Sequence, residues 1–572
     1  MSWLRYGCPF TRVGAAAIAT LLLTCSSGIT ANDSTQARFR GTGQADPVRI
    51  ENVRRQDGPA AGQSTVTFDI AWDHSWRSAW KVTADQHGGT GMLKLESWDA
   101  AWVFAKFHKS GAEGYSHATL STNKGDHKVP AGTKVDIGPS DDGNRGVGLF
   151  VYRAKAGSGA NNSKDVTLRW LHGVDGVKDP GAVELKVFAI KMVYVPQCAF
   201  WVGDGAKNSN PAGRFSAGDT DAPFRIESED AIVLGGDDRK NLGNHDALGM
   251  ERAEDFTSSG AQMLPARFPK GFAAFYCMRH EITEGQYVDF LNTLSAKQQD
   301  RLDPLKNSPT GIKLVTPGKA GSPAVYQTDR PHVACSGLLW KDCGGYAAWA
   351  GLRAMTELEY EKACRGPLKP VPNEYAWGTP GIAGKDFDKL FPDADHAGYV
   401  VKNRGRPDEG VAWRGDNAPD AKRGNAVWYG AIRRVGPGGR HGQAAADAVN
   451  GPLRAGVFAT PRSGRVEAGA SYWGILELSG NLWERVMTVG NPYGRRFSGA
   501  HGKWPLDKGP QSHGMGTGIR GGTHAYWIAE VTEPPKESRR LHISDREKVS
   551  RITPFSREWN GSRSAYWSMG FR

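Results

Sequence analysis

A chain of 572 residues is too long for one ordinary domain and implies two or three. Its 39% hydrophobic and 23% charged residues exclude global disorder and supply enough apolar material for a core. The 72 Lys and Arg against 60 Asp and Glu give a net charge of +12. These bases fall singly or in pairs such as Arg433-Arg434 and Arg539-Arg540, without the clustered stripe of a nucleic-acid binder, so no nucleic-acid partner is expected.

Residues 1–31 read as an export signal. Arg5 and Arg12 precede an apolar run from Val13 to Leu23, and Ile29-Thr30-Ala31 offers a cleavage site. The run is shorter than the ~20 residues a bilayer needs, and no later segment is a candidate span. The chain is therefore expected to be exported, whether periplasmic, at the cell surface or extracellular. Leu22-Leu23-Thr24-Cys25 resembles a lipobox with an unusual Thr, which makes Cys25 a candidate lipid anchor. Beyond Cys8 and Cys25, five cysteines remain: Cys198, Cys277, Cys335, Cys343 and Cys364. The odd number leaves at least one thiol over if a disulfide forms, and the pairing stays open. Their spacings fit neither a zinc knuckle nor a haem site.

Residues 32–46 are small and polar and read as a flexible lead. Residues 47–190 read as a small all-β sandwich of immunoglobulin-like type. Strand patterns at Ser64–Trp72, Ala101–Phe107, Gly148–Tyr152 and Val183–Ile190 are separated by Gly-, Asp- and Asn-rich turns. From residue 191 the texture changes. Tyr287–Leu294 and Cys343–Ala350 look like helical faces, and Thr356 with Glu359 forms a capping box for a helix through Lys362. Long Gly/Pro/Asp-rich stretches at 204–262, 379–422 and 436–452 indicate a fold that tolerates irregular structure. Glycine, at 73 residues or about 13% against a usual ~7%, and the 19 Trp agree with a loop-rich fold pinned by indoles.

Several motifs occur in a telling order. Met192-Val193-Tyr194-Val195-Pro196 precedes Phe200-Trp201-Val202-Gly203. His280-Glu281-Ile282-Thr283 leads into Gln286-Tyr287-Val288-Asp289-Phe290-Leu291. Trp340-Lys341-Asp342, Tyr346–Arg353 and Thr356–Glu361 follow, then Tyr375-Ala376-Trp377-Gly378. Tyr472–Glu484 carries Ser479-Gly480-Asn481-Leu482-Trp483-Glu484; Arg520-Gly521-Gly522-Thr523 and Gly570-Phe571-Arg572 close the series. In this order the blocks resemble the sulfatase-modifying-factor family, whose founding member is the formylglycine-generating enzyme, over residues 191–572. The resemblance implies an α+β, loop-rich variant of the C-type-lectin fold, and the first half resembles an N-terminal sandwich attached to exported members.

The resemblance also implies chemistry that this sequence lacks. Formylglycine generation in the family uses two cysteines just after the Arg-Gly-Gly block, whose thiolates bind Cu(I); soft thiolates select that ion. Here Arg520-Gly521-Gly522-Thr523 is followed by His524-Ala525-Tyr526-Trp527, and no cysteine follows Cys364. No copper site is expected. The flanking pair Cys335 and Cys343 is a weak substitute. The family's iron-dependent branch needs a His-x3-His-x-Glu motif that is missing here, while His245, His280, His332 and His524 are isolated.

Calcium is expected, by resemblance, at Glu477 and Glu484 with the carbonyls of Gly480 and Leu482. A second site would begin at Asn425-Ala426. The competing reading of Glu484 is a salt bridge in a turn packed by Trp483. The residues expected to line a binding cleft are Arg520, His524, Tyr526, Trp527 and Arg572. Together these features describe an exported, non-catalytic member, a pseudoenzyme acting in binding or assembly with an envelope or extracellular protein or polysaccharide. Two alternatives stay open: a formylglycine-generating oxidoreductase, and a carbohydrate- or surface-polymer-binding protein suggested by Tyr526, Trp527, Trp559, Tyr566 and Trp567.

Overall fold

The computed structural model describes residues 35–207, 213–244, 262–302, 311–319, 321–384, 399–413, 418–428, 451–502, 516–524 and 539–547. The export signal, Cys25, His245, Tyr526, Trp527, Arg572 and the aromatics at 559–567 lie outside these residues.

The first half is built on two long strands, and their sequences explain their placement. β1 (Arg49–Asp57) and β2 (Ser64–Val82) pair antiparallel, Ile50 opposite Ile70. β3 (Leu93–Lys109), β4 (Ser116–His117), β5 (Thr133–Pro139), β6 (Gly146–Arg153), β7 (Gly157–Trp170) and β8 (Val183–Val195) follow. β2 carries β1 on one edge and β7 on the other, and its last residues turn into a ladder with the start of β3. β3 then takes β8 on one edge and β6 on the other, with β5 beyond β6. Val66, Phe68, Ile70 and Trp72 of β2 meet Ala101, Val103, Ala105 and Phe107 of β3 in one core.

β3 is apolar without interruption from Ala100 to Ala105, which marks a strand buried on both faces. Its other face sends Trp102 and Phe104 into a second core, shared with Ile190, Met192, Phe290 and Trp349. The Trp102 indole donates to the Ala350 carbonyl at 2.8 Å. A Cβ at Gly138 or Gly148 would run into that ring, so these strand glycines make room for it.

The second half is joined to the first by the same ladder. β8 runs across the 190/191 division, and β9 (Phe275–Met278) pairs with its end, Cys277 opposite Val193. A third core likewise mixes Trp76, Val82, Val193 and Val195 with Tyr360, Cys364, Trp473 and Ile475. The two halves therefore share cores rather than meeting through a linker.

The expected flexible lead is, over residues 37–46, packed in place. Ala37, Arg38 and Phe39 are buried, and the Arg38 guanidinium lies 3.9 Å from the Trp80 ring centre. Backbone bonds run from Gly41 to Thr460 and from Gly43 to Ala459, and Arg279 donates to the Arg40 carbonyl. Composition suggested flexibility because small polar residues conceal contacts made with segments hundreds of positions away.

Helices are few and short. α1 (Glu284–Leu291) and α2 (Trp340–Trp349) begin three residues before the apolar faces that mark them in sequence. α3 (Glu357–Arg365) has the expected box: Glu359 N–H donates to Thr356 Oγ1 at 3.1 Å, and Thr356 N–H to Glu359 Oε2 at 2.9 Å. It runs past Lys362 and stops at Gly366, which has φ +68°. Beside it β10 (Met355–Thr356), β11 (Glu484–Met487) and β12 (Thr517–Arg520) form a small sheet. Among the described residues no helix is long and apolar enough to cross a membrane.

Candidate functional site

α3 positions the segment that ends in Arg520. Glu357, Glu361 and Arg365 lie four residues apart and so share one helix face. Arg520 reaches Glu357 at 3.0 Å and Glu361 at 2.7 Å, and Arg546 reaches Glu357 at 2.8 Å. Arg365 pairs with Glu361 at 3.1 Å and with Glu374. All six side chains are buried. Burial alone would raise the Glu357 carboxyl, but Arg546 and Arg520 carry it below the ordinary range. Arg520, expected in a cleft, is thus fully buried and committed to this network, donating also to the Ile543 carbonyl at 2.6 Å.

The network fixes β12, and β12 delivers the turn that follows it. Glu484 of β11 faces Arg520 of β12 in the ladder. Gly480 N–H donates to the Gly521 carbonyl at 2.7 Å, and His524 N–H to the Asn481 carbonyl at 2.9 Å. The same carbonyl accepts from His524 Nδ1 at 2.7 Å, which places the ring proton on Nδ1 and leaves a lone pair on Nε2. Burial lowers the imidazole to about 4, so His524 is neutral at physiological pH.

Asn481 is the centre of this arrangement. Its φ of +62° is a left-handed conformation that Asn tolerates better than most residues. Its N–H donates to the Val427 carbonyl at 2.8 Å, its Oδ1 accepts from Leu453 N–H at 3.0 Å, and its Nδ2 donates to Glu281 at 3.4 Å. Asn481 and Glu281 both stand in the ordered motifs, but the sequence assigns neither a site role. The Gly-Asn-x-Trp string carried the only signal, an Asn where a turn needs positive φ.

The residues expected to hold calcium come together in part. Gly480 packs on Ala426 and Val427, where a Cβ would meet the Val427 carbonyl at 2.8 Å, so the two stretches named for separate sites adjoin. Glu477, at φ +59°, accepts from Gly456 N–H, and Glu484 is fully buried. Asn425 donates through Nδ2 to the Glu467 carbonyl at 2.6 Å, while its buried Oδ1 has no hydrogen-bond donor among the described residues. Among the described residues no three His, Cys, Asp or Glu side chains converge on one point. A hard cation here would depend on carbonyl oxygens, as the expected set with Gly480 and Leu482 does.

A two-thiolate copper site does not fit. The five cysteines after the signal are buried, and none forms a disulfide. Burial pushes Cys343 up to about 12 and Cys335 well above the ordinary thiol, so neither supplies a ready thiolate. His280 and His332 line a cavity beside β8 that His524 does not line.

Comparison with known proteins places the chain in a family. The model of the sulfatase-modifying factor enzyme 1-like domain matches residues 249–572, more than half of the chain, including α1, α3 and the Asn481 turn. The formylglycine-generating enzyme of Thermomonospora curvata is 45% identical over 52 residues, 9% of this chain and 16% of that protein. That of Streptomyces coelicolor is 46% identical over 57 residues, 9% of this chain and 18% of that protein. The chain thus matches less than a fifth of the length of either curated relative. On the domain match, the chain belongs to the sulfatase-modifying-factor, formylglycine-generating-enzyme-like family.

Proposed function

We propose that this chain is an exported, non-catalytic member of the family that acts by binding or assembly at the cell envelope or outside the cell. The observation that carries the reading is the Arg520-Gly521-Gly522-Thr523 turn. Its supports are intact, down to the Arg520 ion pairs and the Asn481 carbonyl, yet Tyr526 stands about where the resemblance implies the first thiol, and His524 is the other polar side chain that follows the turn. A neutral imidazole and a phenol do not make a two-thiolate Cu(I) centre. The C-type-lectin variant for 191–572, the immunoglobulin-like type for the first half and a lipid anchor at Cys25 belong to the same proposal. A test is incubation with Cu(I) and a cysteine-containing sulfatase peptide: no peptide aldehyde should form. Copper-dependent aldehyde, lost in Cys335→Ser or Cys343→Ser, would replace this reading with the oxidoreductase one.

A structural calcium ion at the turn is part of the proposal, supported by the adjoining 425–428 and 477–484 segments and the buried Asn425 Oδ1. Chelation should lower the melting temperature, and Glu484→Ala should remove that sensitivity. An identical melting curve with excess chelator would eliminate calcium.

A further inference from the structure

β8, like β1, β5 and β7, has an edge with no ladder partner over most of its length, and the edge of β8 borders a cavity. From Val183 to Val193 the strand bonds β3 on one side. On its other side β9 covers only Met192–Val195, and Arg279 N–H reaches the Lys191 carbonyl at 3.0 Å. Between residues 183 and 190 that side has no hydrogen-bond partner among the described residues. Unpaired edges are normally blunted or covered, because each carries a row of donors and acceptors.

This edge lies in a cavity of about 540 Å³, walled by residues 185–191, the end of the lead at Asp46, Val48 and Ile50 of the β1 region, and α1 with Asp289. Seven lining residues in a row make about 20 Å of strand. Two further donors line the same cavity. Tyr346 Oη and Trp349 Nε1 are buried with no hydrogen-bond partner among the described residues, in side chains only 1% and 8% exposed. Buried donors left in this state are uncommon and cost stability unless something fills them. An extended backbone complements a strand edge in both donors and acceptors, and its carbonyls suit the phenol and the indole.

We propose that this groove binds an extended segment of another polypeptide, which adds as a strand to the open edge of β8 and accepts hydrogen bonds from Tyr346 and Trp349. The inference is independent of the non-catalytic reading, since a chain that made formylglycine could carry the same edge.

Hydrogen exchange on the full chain tests it. In the free protein about half of the amides across residues 184–190 should exchange fast, because alternate residues face away from β3. A pool of nine-residue peptides with β-branched residues at alternate positions should slow those amides. Tyr346→Phe should weaken binding about three- to tenfold, the scale of one hydrogen bond, without lowering the melting temperature. Four results would overturn the proposal: full protection of 184–190 in the free protein, no slowing by any peptide in the pool, protection by chitotriose in place of the peptides, or peptide affinity unchanged in Tyr346→Phe.

Discussion

β3 and α3 are both buried along most of their length, by opposite chemistry. β3 inserts Ala101, Val103 and Phe107 into one core and Trp102 and Phe104 into another, and each side chain adds its own apolar area. In α3 all nine residues are buried, and five of them are charged. Its stability is conditional. Each carboxylate is tolerable only while its guanidinium is present, and Lys362 only while the carbonyls of Gly271, Phe272 and Ala273 receive its ammonium. The strand can lose contacts one at a time, whereas the helix holds an arrangement that is complete or costly. That difference suits their roles, since α3 fixes the Arg520 turn and β3 holds the two halves together.

The comparison breaks most sharply at Glu357. Glu357→Ala leaves Arg520 and Arg546 without their shared carboxylate in a dry site and should cost about 3–5 kcal/mol in urea unfolding. A loss below about 1 kcal/mol would mean that water reaches the network.

Acid should act on the same region. His524 has an ordinary value of 6.5 and is lowered to about 4 by burial, so below pH 6.5 the unfolded chain takes up a proton that the folded chain refuses. Stability should therefore fall between pH 6.5 and 4 by up to about 3 kcal/mol and then level off for this group. Glu357, depressed by its two arginines, contributes stability above its ordinary value of 4.5 that is lost as pH falls through its lower folded value, extending the decline. His524→Asn should flatten the first part of the curve, and an unchanged slope would show another group to be responsible.

On the apolar side, Phe104→Leu should cost only about 1–1.5 kcal/mol, because a core accommodates a similar hydrophobic shape by small shifts. The edge-on contact with Trp349, ring centres 5.0 Å apart, would be lost without leaving a charge behind. The smallest expected effect is at the helix entry: Thr356→Ala removes the acceptor for Glu359 N–H and should cost about 1 kcal/mol by thermal unfolding.

What could be read from sequence follows the same division. The capping box of Thr356 and Glu359 and the strand pattern at Ala101–Phe107 are local, and each corresponds to an element of the structure. The partners of Arg520 are not local: Glu357 lies 163 residues away, and nothing in the Arg-Gly-Gly string says that its guanidinium is buried rather than open to a cleft. The packing of the lead is hidden from sequence for the same reason, since the burial of Arg38 depends on Trp80 and Tyr472. The run of β8 through the 190/191 division was equally hidden, because a strand shared by two cores looks the same on either side of the change in texture.

The central claim is that this family scaffold has no thiolate chemistry to offer, and thiol reactivity tests it most directly. Native full-length protein treated with iodoacetamide at neutral pH and mapped by mass spectrometry should leave Cys198, Cys277, Cys335, Cys343 and Cys364 unmodified, and unfolding in urea should expose all five. Rapid native labelling of Cys335 or Cys343, suppressed by Cu(I), would contradict the account and place a working thiol centre in this chain.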